Sequence, residues 1–162
     1  VVYIPSCRRV FDEKFRKGLE KYEIKGKVIS QQDDSELMPY IYSLAKLALC
    51  KSGTVNMELA LYGIPQIIGY KVSRVTAFIA KRILNFKVRF ISPVNLLMKK
   101  FIIPEFVQKN FIEEKIFYKA CRLLDLTSEK AKIKKGYTML KKELGEEGVV
   151  DRAAKEIINS II

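Results

Sequence analysis

The chain predicts an α/β fold, a parallel sheet with helices on both faces, and three observations carry that prediction. Short β-rich apolar runs alternate with stretches of helical period from Val1 to Ile91. Glycine and proline punctuate the joints, at Pro5, Gly26 and Gly63-Ile64-Pro65. After Ser92 the alternation gives way to a loop and then to amphipathic helices. The 162 residues, 49% hydrophobic and 30% charged, suit one domain with an α/β core over 1–92 and a loop with C-terminal helices over 93–162. On sheets of this kind ligands bind outside the carboxyl ends of the strands.

Val1 to Ile4 is a β-rich run closed by Pro5 and is expected to be a buried strand. Ser6 to Val10 reads as a basic loop, and Phe11 to Tyr22 as a helix with Phe11, Phe15 and Leu19 inward. Gly26 breaks it, and Lys27 to Ser30 is a second short strand. Gln31 to Ser35 is a polar loop, and Glu36 to Leu44 a helix with Met38, Ile41 and Tyr42 inward. Leu47 to Cys50 reads as the end of a buried strand and Lys51 to Thr54 as a polar turn. Thr54 to Tyr62 then has Val55, Leu59 and Tyr62 on one helical face and Glu58 on another. Pro65 to Tyr70 is the next strand, Ser73 to Leu84 the next helix, and Val88 to Ile91 a fifth strand. Pro93 to Leu97 reads as a loop, and Ile102 to Gln108 as a short helix entered through Pro104, a favoured first position. Three amphipathic helices close the pattern, Ile112–Leu124, Thr127–Leu144 and Val149–Ile162, with Gly145 and Gly148 between the last two.

Composition narrows the chemistry. There is no histidine, so no His base, His metal ligand or His-dependent triad can be built from these residues. Cys7, Cys50 and Cys121 are odd in number and scattered, which argues against a disulfide framework or a zinc site and for a reducing compartment. No metal site is expected. The net charge of +12 calls for an anionic partner: nucleic acid, anionic lipid or a phosphorylated small molecule. The lysines at 130, 132, 134, 135, 141 and 142 are spread as on a solvated helical face, so no nucleic-acid partner is expected. No apolar stretch reaches the roughly 18–20 residues that span a bilayer. The opening Val1-Val2-Tyr3-Ile4 has no initiating Met and reads as the interior of a strand, so the chain is expected to be part of a longer protein.

One stretch carries a candidate site. A strand, the small-residue turn Ser52-Gly53-Thr54 and a helix start form an anion site, because the first N–H groups of a helix lack intrahelical partners. Ser52 and Thr54 offer hydroxyls, and Gly53 lets a ligand approach the backbone. Glu58 lies one helical turn beyond Thr54, where its carboxylate can accept two vicinal sugar hydroxyls. The ordinary alternative is a strand-to-helix connection with a Ser or Thr cap and a solvated Glu.

The blocks Ser52-Gly53-Thr54, Glu58, Ala60, Gly63, Pro65, Tyr70 and Ala80-Lys81-Arg82 continue through Ile91-Ser92-Pro93-Val94-Asn95-Leu96-Leu97 and Ile103-Pro104-Glu105-Phe106-Val107-Gln108. They return at Leu144-Gly145-Glu146-Glu147-Gly148-Val149-Val150-Asp151-Arg152-Ala153-Ala154. In that order they resemble the lipid A disaccharide synthases, GT-B glycosyltransferases, with wording nearest the cyanobacterial or plastid branch. The resemblance implies a Rossmann-like donor-binding domain, the C-terminal half of such an enzyme. It implies an inverting transfer of 2,3-diacylglucosamine from its UDP derivative to 2,3-diacylglucosamine 1-phosphate (lipid X), giving a β-1,6 disaccharide and UDP. No cofactor is implied, since the UDP-sugar is a substrate. Ser52, Gly53 and Thr54 would line the diphosphate and Glu58 would hold the ribose hydroxyls. Asn95, the candidate catalytic residue, matches an Asn of the family's P-N-L-L loop that activity requires, although Val94 here separates it from Pro93. The resemblance implies an amide that orients the donor sugar or its phosphate, and the ordinary alternative is a turn-forming Asn.

Arg82 and Lys100 are candidates for phosphate or membrane contact. Where the family carries Gly-Arg-Glu this chain has Met98-Lys99-Lys100-Phe101, so Lys100 keeps the charge without the bidentate fork of Arg. Val75, Phe78, Ile79 and Ile83, beside Lys81 and Arg82, are either core with snorkelling basic ends or an acyl-chain and membrane contact. Arg8 is read as a surface residue, because its spacing to Ser52 is a strand–helix unit too short for the family's L-P-G-S-R loop. The resemblance places the acceptor domain, the catalytic base and the first strand–helix unit of the donor domain outside this chain, which alone is expected to be inactive. It also implies a peripheral enzyme at the cytoplasmic face of the inner membrane, or its plastid equivalent, on an anionic surface. It leaves homodimerisation open through the C-terminal helices. Two other readings remain: another GT-B transferase or UDP-sugar epimerase donor domain, and a basic nucleic-acid-binding domain.

Overall fold

In the computed structural model, which describes residues 1–6, 8–30, 37–73, 89–146 and 148–161, strands and helices alternate and every strand pairing is parallel. The polar loop expected at Gln31–Ser35 lies outside the described residues. So does almost all of the helix expected at Ser73–Leu84. The chain forms two compact units, Val1–Ala45 and Lys46–Ile162.

In the first unit β1 (Val2–Ser6) is followed by a 3-10 turn at Arg9–Phe11, α1 (Asp12–Lys21), β2 (Gly26–Ser30) and α2 (Leu37–Leu44). β1 and β2 form a two-stranded sheet in register from Val2↔Gly26 to Ser6↔Ser30. Gly26 is required there, since a Cβ would stand 2.7 Å from the Val2 carbonyl oxygen. Ile29, Ile41 and Tyr42 are buried, and Met38 is half-buried. The expectation of a buried first strand is corrected, because Val2 and Tyr3 are exposed. Phe11 and Phe15 are exposed too, and of the expected inward face only Leu19 is partly covered. A single parallel pair with one crossover helix covers few positions.

The second unit holds the larger core. β3 (Ala48–Cys50), α3 (Val55–Leu61), β4 (Gln66–Tyr70), α4 (Pro93–Met98) and β5 (Glu105–Val107) are followed by three helices. These are α5 (Glu113–Asp125), α6 (Thr127–Leu144) and α7 (Val149–Ile161). The sheet runs β3-β4-β5, and Cys50, Ile68 and Glu105 stand in one row across it. Ala60, Ile67, Ile68, Val94, Ile103, Leu123, Ile133, Tyr137 and Leu140 form one apolar cluster that joins sheet and helices. β3 is less buried than its apolar run suggested, with Leu49 exposed.

Two expectations around the prolines are reversed. Pro93–Leu97 is no loop: Ser92 caps α4, its side chain accepting from the Asn95 N–H at 3.2 Å, and Pro93 opens the helix. The helix ends at Lys99 in the left-handed region. Conversely, Ile102–Gln108 contains no α-helix but strand β5, whose run-in gives the Pro104 carbonyl to the Ile68 N–H at 2.9 Å. Proline biases the residue before it towards extended backbone, and Phe106-Val107 favours a strand once β4 offers an edge. The strand expected at Val88–Ile91 is absent over its described part, 89–91.

The three C-terminal helices lie where the periodicity placed them, α6 with the same bounds. Glu129 in the first turn of α6 ties it to α5, taking an ion pair from Lys119 at 2.7 Å and another from Arg122. The Lys119 hydrogen bond, foremost, holds the Glu129 carboxyl below its ordinary range. Among the described residues no helix is long and apolar enough to cross a membrane.

Candidate functional site

β3 ends at Cys50, and four residues carry the chain into α3. What shapes that turn is an asparagine inside the helix. Asn56 is fully buried, accepts from the Gly53 N–H at 3.0 Å and donates to the Lys51 carbonyl at 3.1 Å. The Ser52 hydroxyl donates to the Ile91 carbonyl, and the exposed Thr54 makes no capping bond. The turn is therefore fastened from below rather than capped by its own hydroxyls. Gly53 does not adopt a positive φ, and a Cβ on it would meet nothing within 4 Å. Its upper face is open.

Of the expected face Val55, Leu59 and Tyr62, α3 buries only Leu59, and it presents Asn56 and Ala60 to the interior beside it. Tyr62 is exposed and Val55 only partly covered. The same rotation puts Glu58 on the exposed side, one turn above Thr54, whose carbonyl its N–H meets at 3.4 Å.

The turn touches a second polar cluster through Ile91. Glu105 accepts from the Ile91 N–H at 2.9 Å, the Ser92 N–H at 2.9 Å, the Ser92 hydroxyl at 2.6 Å and the Asn95 amide at 2.8 Å. Asn95, on the inner side of α4, is wholly buried. Its Nδ2 also donates to the Ile103 carbonyl at 2.8 Å, and its Oδ1 accepts from the Ile102 and Ile103 N–H groups at 2.7 and 3.0 Å. A primary amide has two donors and two acceptor sites, so Asn95 is saturated within the protein.

The family described as Lipid-A-disaccharide synthetase matches residues 2–162. The chain belongs to that family. A lipid-A-disaccharide synthase of Prochlorococcus marinus is 46% identical over 158 residues, covering 98% of this chain and 40% of the relative. One from Gloeothece citriformis is 38% identical over 88% of this chain and 36% of its own length. One from Aquifex aeolicus is 35% identical over 98% of this chain and 43% of its own length. The chain thus spans about 40% of a lipid-A-disaccharide synthase. The Prochlorococcus relative is cyanobacterial, in line with the branch that the sequence blocks resemble.

Against this family, the structure brings Ser52, Gly53, Thr54 and Glu58 together on one exposed turn and its helix. Hydrogen bonds join Asn95 to them through Glu105, Ser92 and Ile91. Lys100 is exposed just past α4, its N–H on the Asn95 carbonyl at 3.2 Å. Arg82 and its apolar neighbours Val75 to Ile83 lie outside the described residues. Arg8 is exposed, as expected of a surface residue. Among the described residues no group of three or more His, Cys, Asp or Glu is placed to hold a metal.

A third network lies under the turn. Gln66 on β4, fully buried, donates to the Asn56 carbonyl at 2.9 Å and to the Tyr137 hydroxyl at 3.1 Å. The Tyr137 hydroxyl donates in turn to the Ile64 carbonyl at 3.1 Å. Cys50 completes the network through the Asn56 amide at 3.2 Å. Burial pushes the Cys50 thiol up to about 11, the Asn56 hydrogen bond opposing, and raises the Tyr137 hydroxyl as well. The thiol is therefore protonated at neutral pH, and native Cys50 is expected to resist iodoacetamide at pH 8 but to react once the chain is unfolded in urea. Its linkage has a definite sign. The raised folded value favours the native state below the ordinary 9.0, and that stability is lost as pH rises from 9.0 to about 11.

Asn56, Gln66, Glu105 and Tyr137 were not among the predicted site residues. Periodicity assigns polar residues outward, so a buried Asn or Gln at a helix start or strand gives no local signal. Glu105 carries no local signal of its own in the Pro-Glu-Phe block. Its partners lie 10 to 14 residues back in the chain.

Proposed function

We propose that this chain is the nucleotide-sugar-binding part of a glycosyltransferase of lipid A biosynthesis. The whole enzyme would transfer 2,3-diacylglucosamine from its UDP derivative to 2,3-diacylglucosamine 1-phosphate, releasing UDP. The observation that carries the reading is the turn 52–54, open over Gly53, with Glu58 exposed one helical turn beyond it. In this reading the diphosphate lies across Gly53 beside the Thr54 hydroxyl, and the Glu58 carboxylate accepts the two ribose hydroxyls. Stabilising charge on the departing UDP is this part's share of the chemistry. The base that takes the acceptor's proton is assigned to the remainder of the enzyme, and no metal or cofactor is invoked. Asn95 serves by holding the 91–103 segment rather than by touching sugar, since its amide is saturated. The +12 charge suits phosphorylated lipid substrates and an anionic membrane at the cytoplasmic face of the inner membrane or its plastid equivalent.

The test is Glu58→Ala in the full-length enzyme that carries this chain. Loss of two charge-assisted hydrogen bonds should raise the KM for the UDP donor roughly tenfold or more and leave the acceptor KM unchanged. A donor KM that does not move contradicts the placement of the ribose. Efficient use of non-acylated UDP-sugars would point instead to another donor-domain enzyme.

A further inference from the structure

Ile91 and Ser92 share a peptide bond that is held on both edges. Its carbonyl accepts from the Ser52 hydroxyl, and its N–H donates to Glu105 Oε1 at 2.9 Å. A trans peptide is planar, so fixing the N–H fixes the direction of the carbonyl opposite. Glu105 also takes the Ile91 N–H, the Ser92 hydroxyl and the Asn95 amide, so the peptide cannot swivel about either neighbour. A carboxylate can face these four donors at once, because its two oxygens offer about four acceptor sites and carry no proton. Hydrogen bonds in such a chain polarise one another, which strengthens the link from carboxylate to hydroxyl.

We propose that Glu105 is a positioning residue for the turn 52–54. Through the Ile91–Ser92 peptide it aims the Ser52 hydroxyl and thereby sets the backbone on which the ligand lies. Asn56 secures the same turn from the Gly53 side, so the turn is fixed at two points from two different elements. Glu105 itself stands on β5, in register with Ile68, and the sheet supplies the rigid mount. The functional meaning rests on reading this turn as the diphosphate cradle, while the mechanical coupling does not.

The experiment is a double-mutant cycle on the full chain with Glu105→Gln and Ser52→Ala, read by amide hydrogen exchange and by UDP affinity. Glu105→Gln replaces one acceptor oxygen by an NH2 group that must face an N–H donor. Exchange at the Gly53 amide, which Asn56 holds, should quicken roughly tenfold in either single variant. The double variant should be no faster than the singles, because both break one chain of contacts. By reciprocity Ser52→Ala should also quicken exchange at the Ser92 amide, a readout that survives if Glu105→Gln fails to fold. UDP affinity should fall in both singles by a similar factor without adding in the double. A Glu105→Gln variant that lowers only the urea midpoint, with the Gly53 amide unchanged or with effects that add, overturns the proposal. Coupled exchange in a chain that ignores UDP would uphold the positioning role and reject the nucleotide reading.

Discussion

Asn95→Ala is expected to lower the stability of the chain by about 3–5 kcal/mol, close to the upper end for a single substitution. The side chain is fully buried and makes four hydrogen bonds. Its removal strands the N–H groups of Ile102 and Ile103, the Ile103 carbonyl and one acceptor site on Glu105. Each stranded buried group costs about 1–3 kcal/mol before relaxation, and a domain of this size has about 5–15 kcal/mol in all. The measurement is a urea midpoint at unchanged slope. Asn95→Asp separates chemistry from shape. It keeps the shape but puts a carboxylate oxygen where Nδ2 meets Glu105 Oε1 at 2.8 Å, so like-charge repulsion replaces a hydrogen bond and the damage should again be large. A lost activity on changing Asn95 then reads as a collapsed 91–103 segment, not a lost sugar contact. An Asn95→Ala chain with wild-type stability would contradict that.

Ile68→Ala should cost about 2–5 kcal/mol, and Ile68→Val about 0.5–1.5 kcal/mol. Ile68 is completely buried at the centre of β4 and packs in the main apolar cluster. Its Cα stands between Cys50, which adjoins the turn, and Glu105 in the row across the sheet. Deleting its methyls leaves a cavity in the element that spaces the Asn56–Gln66 network from the Glu105 network. Nevertheless the bonds of both networks stay intact, so the folded fraction should keep its ligand affinity. Stability that falls without affinity is the expected pattern, and a shift below about 0.5 kcal/mol would mean the site repacks freely.

Much of this architecture could be read from local pattern. Helix α6 was placed at its observed bounds because Thr127 to Leu144 keeps one apolar face and ends before Gly145. β2 and β4 follow from short apolar runs beside Gly26 and Pro65. The errors share a cause. Proline opens helices and also favours extended backbone before it, and Pro93 and Pro104 take opposite habits here. Ser92-Pro93 is a local helix-start signature, whereas β5 forms against the edge that β4 presents to it. The site divides the same way. The exposed turn and Glu58 were legible because their spacing is local. The side chains beneath them, Asn56, Gln66 and Glu105, act through contacts across the fold, and burying a polar group defies the periodicity on which sequence reading depends.

The measurement that bears most directly on the nucleotide-sugar reading is a calorimetric titration of UDP into the chain, wild type beside Glu58→Ala, with folding of both checked in urea. Saturable one-to-one binding is expected, weakened roughly tenfold by the substitution. A folded wild-type chain that gives no saturable UDP binding, or a Glu58→Ala chain that binds as tightly, would contradict it.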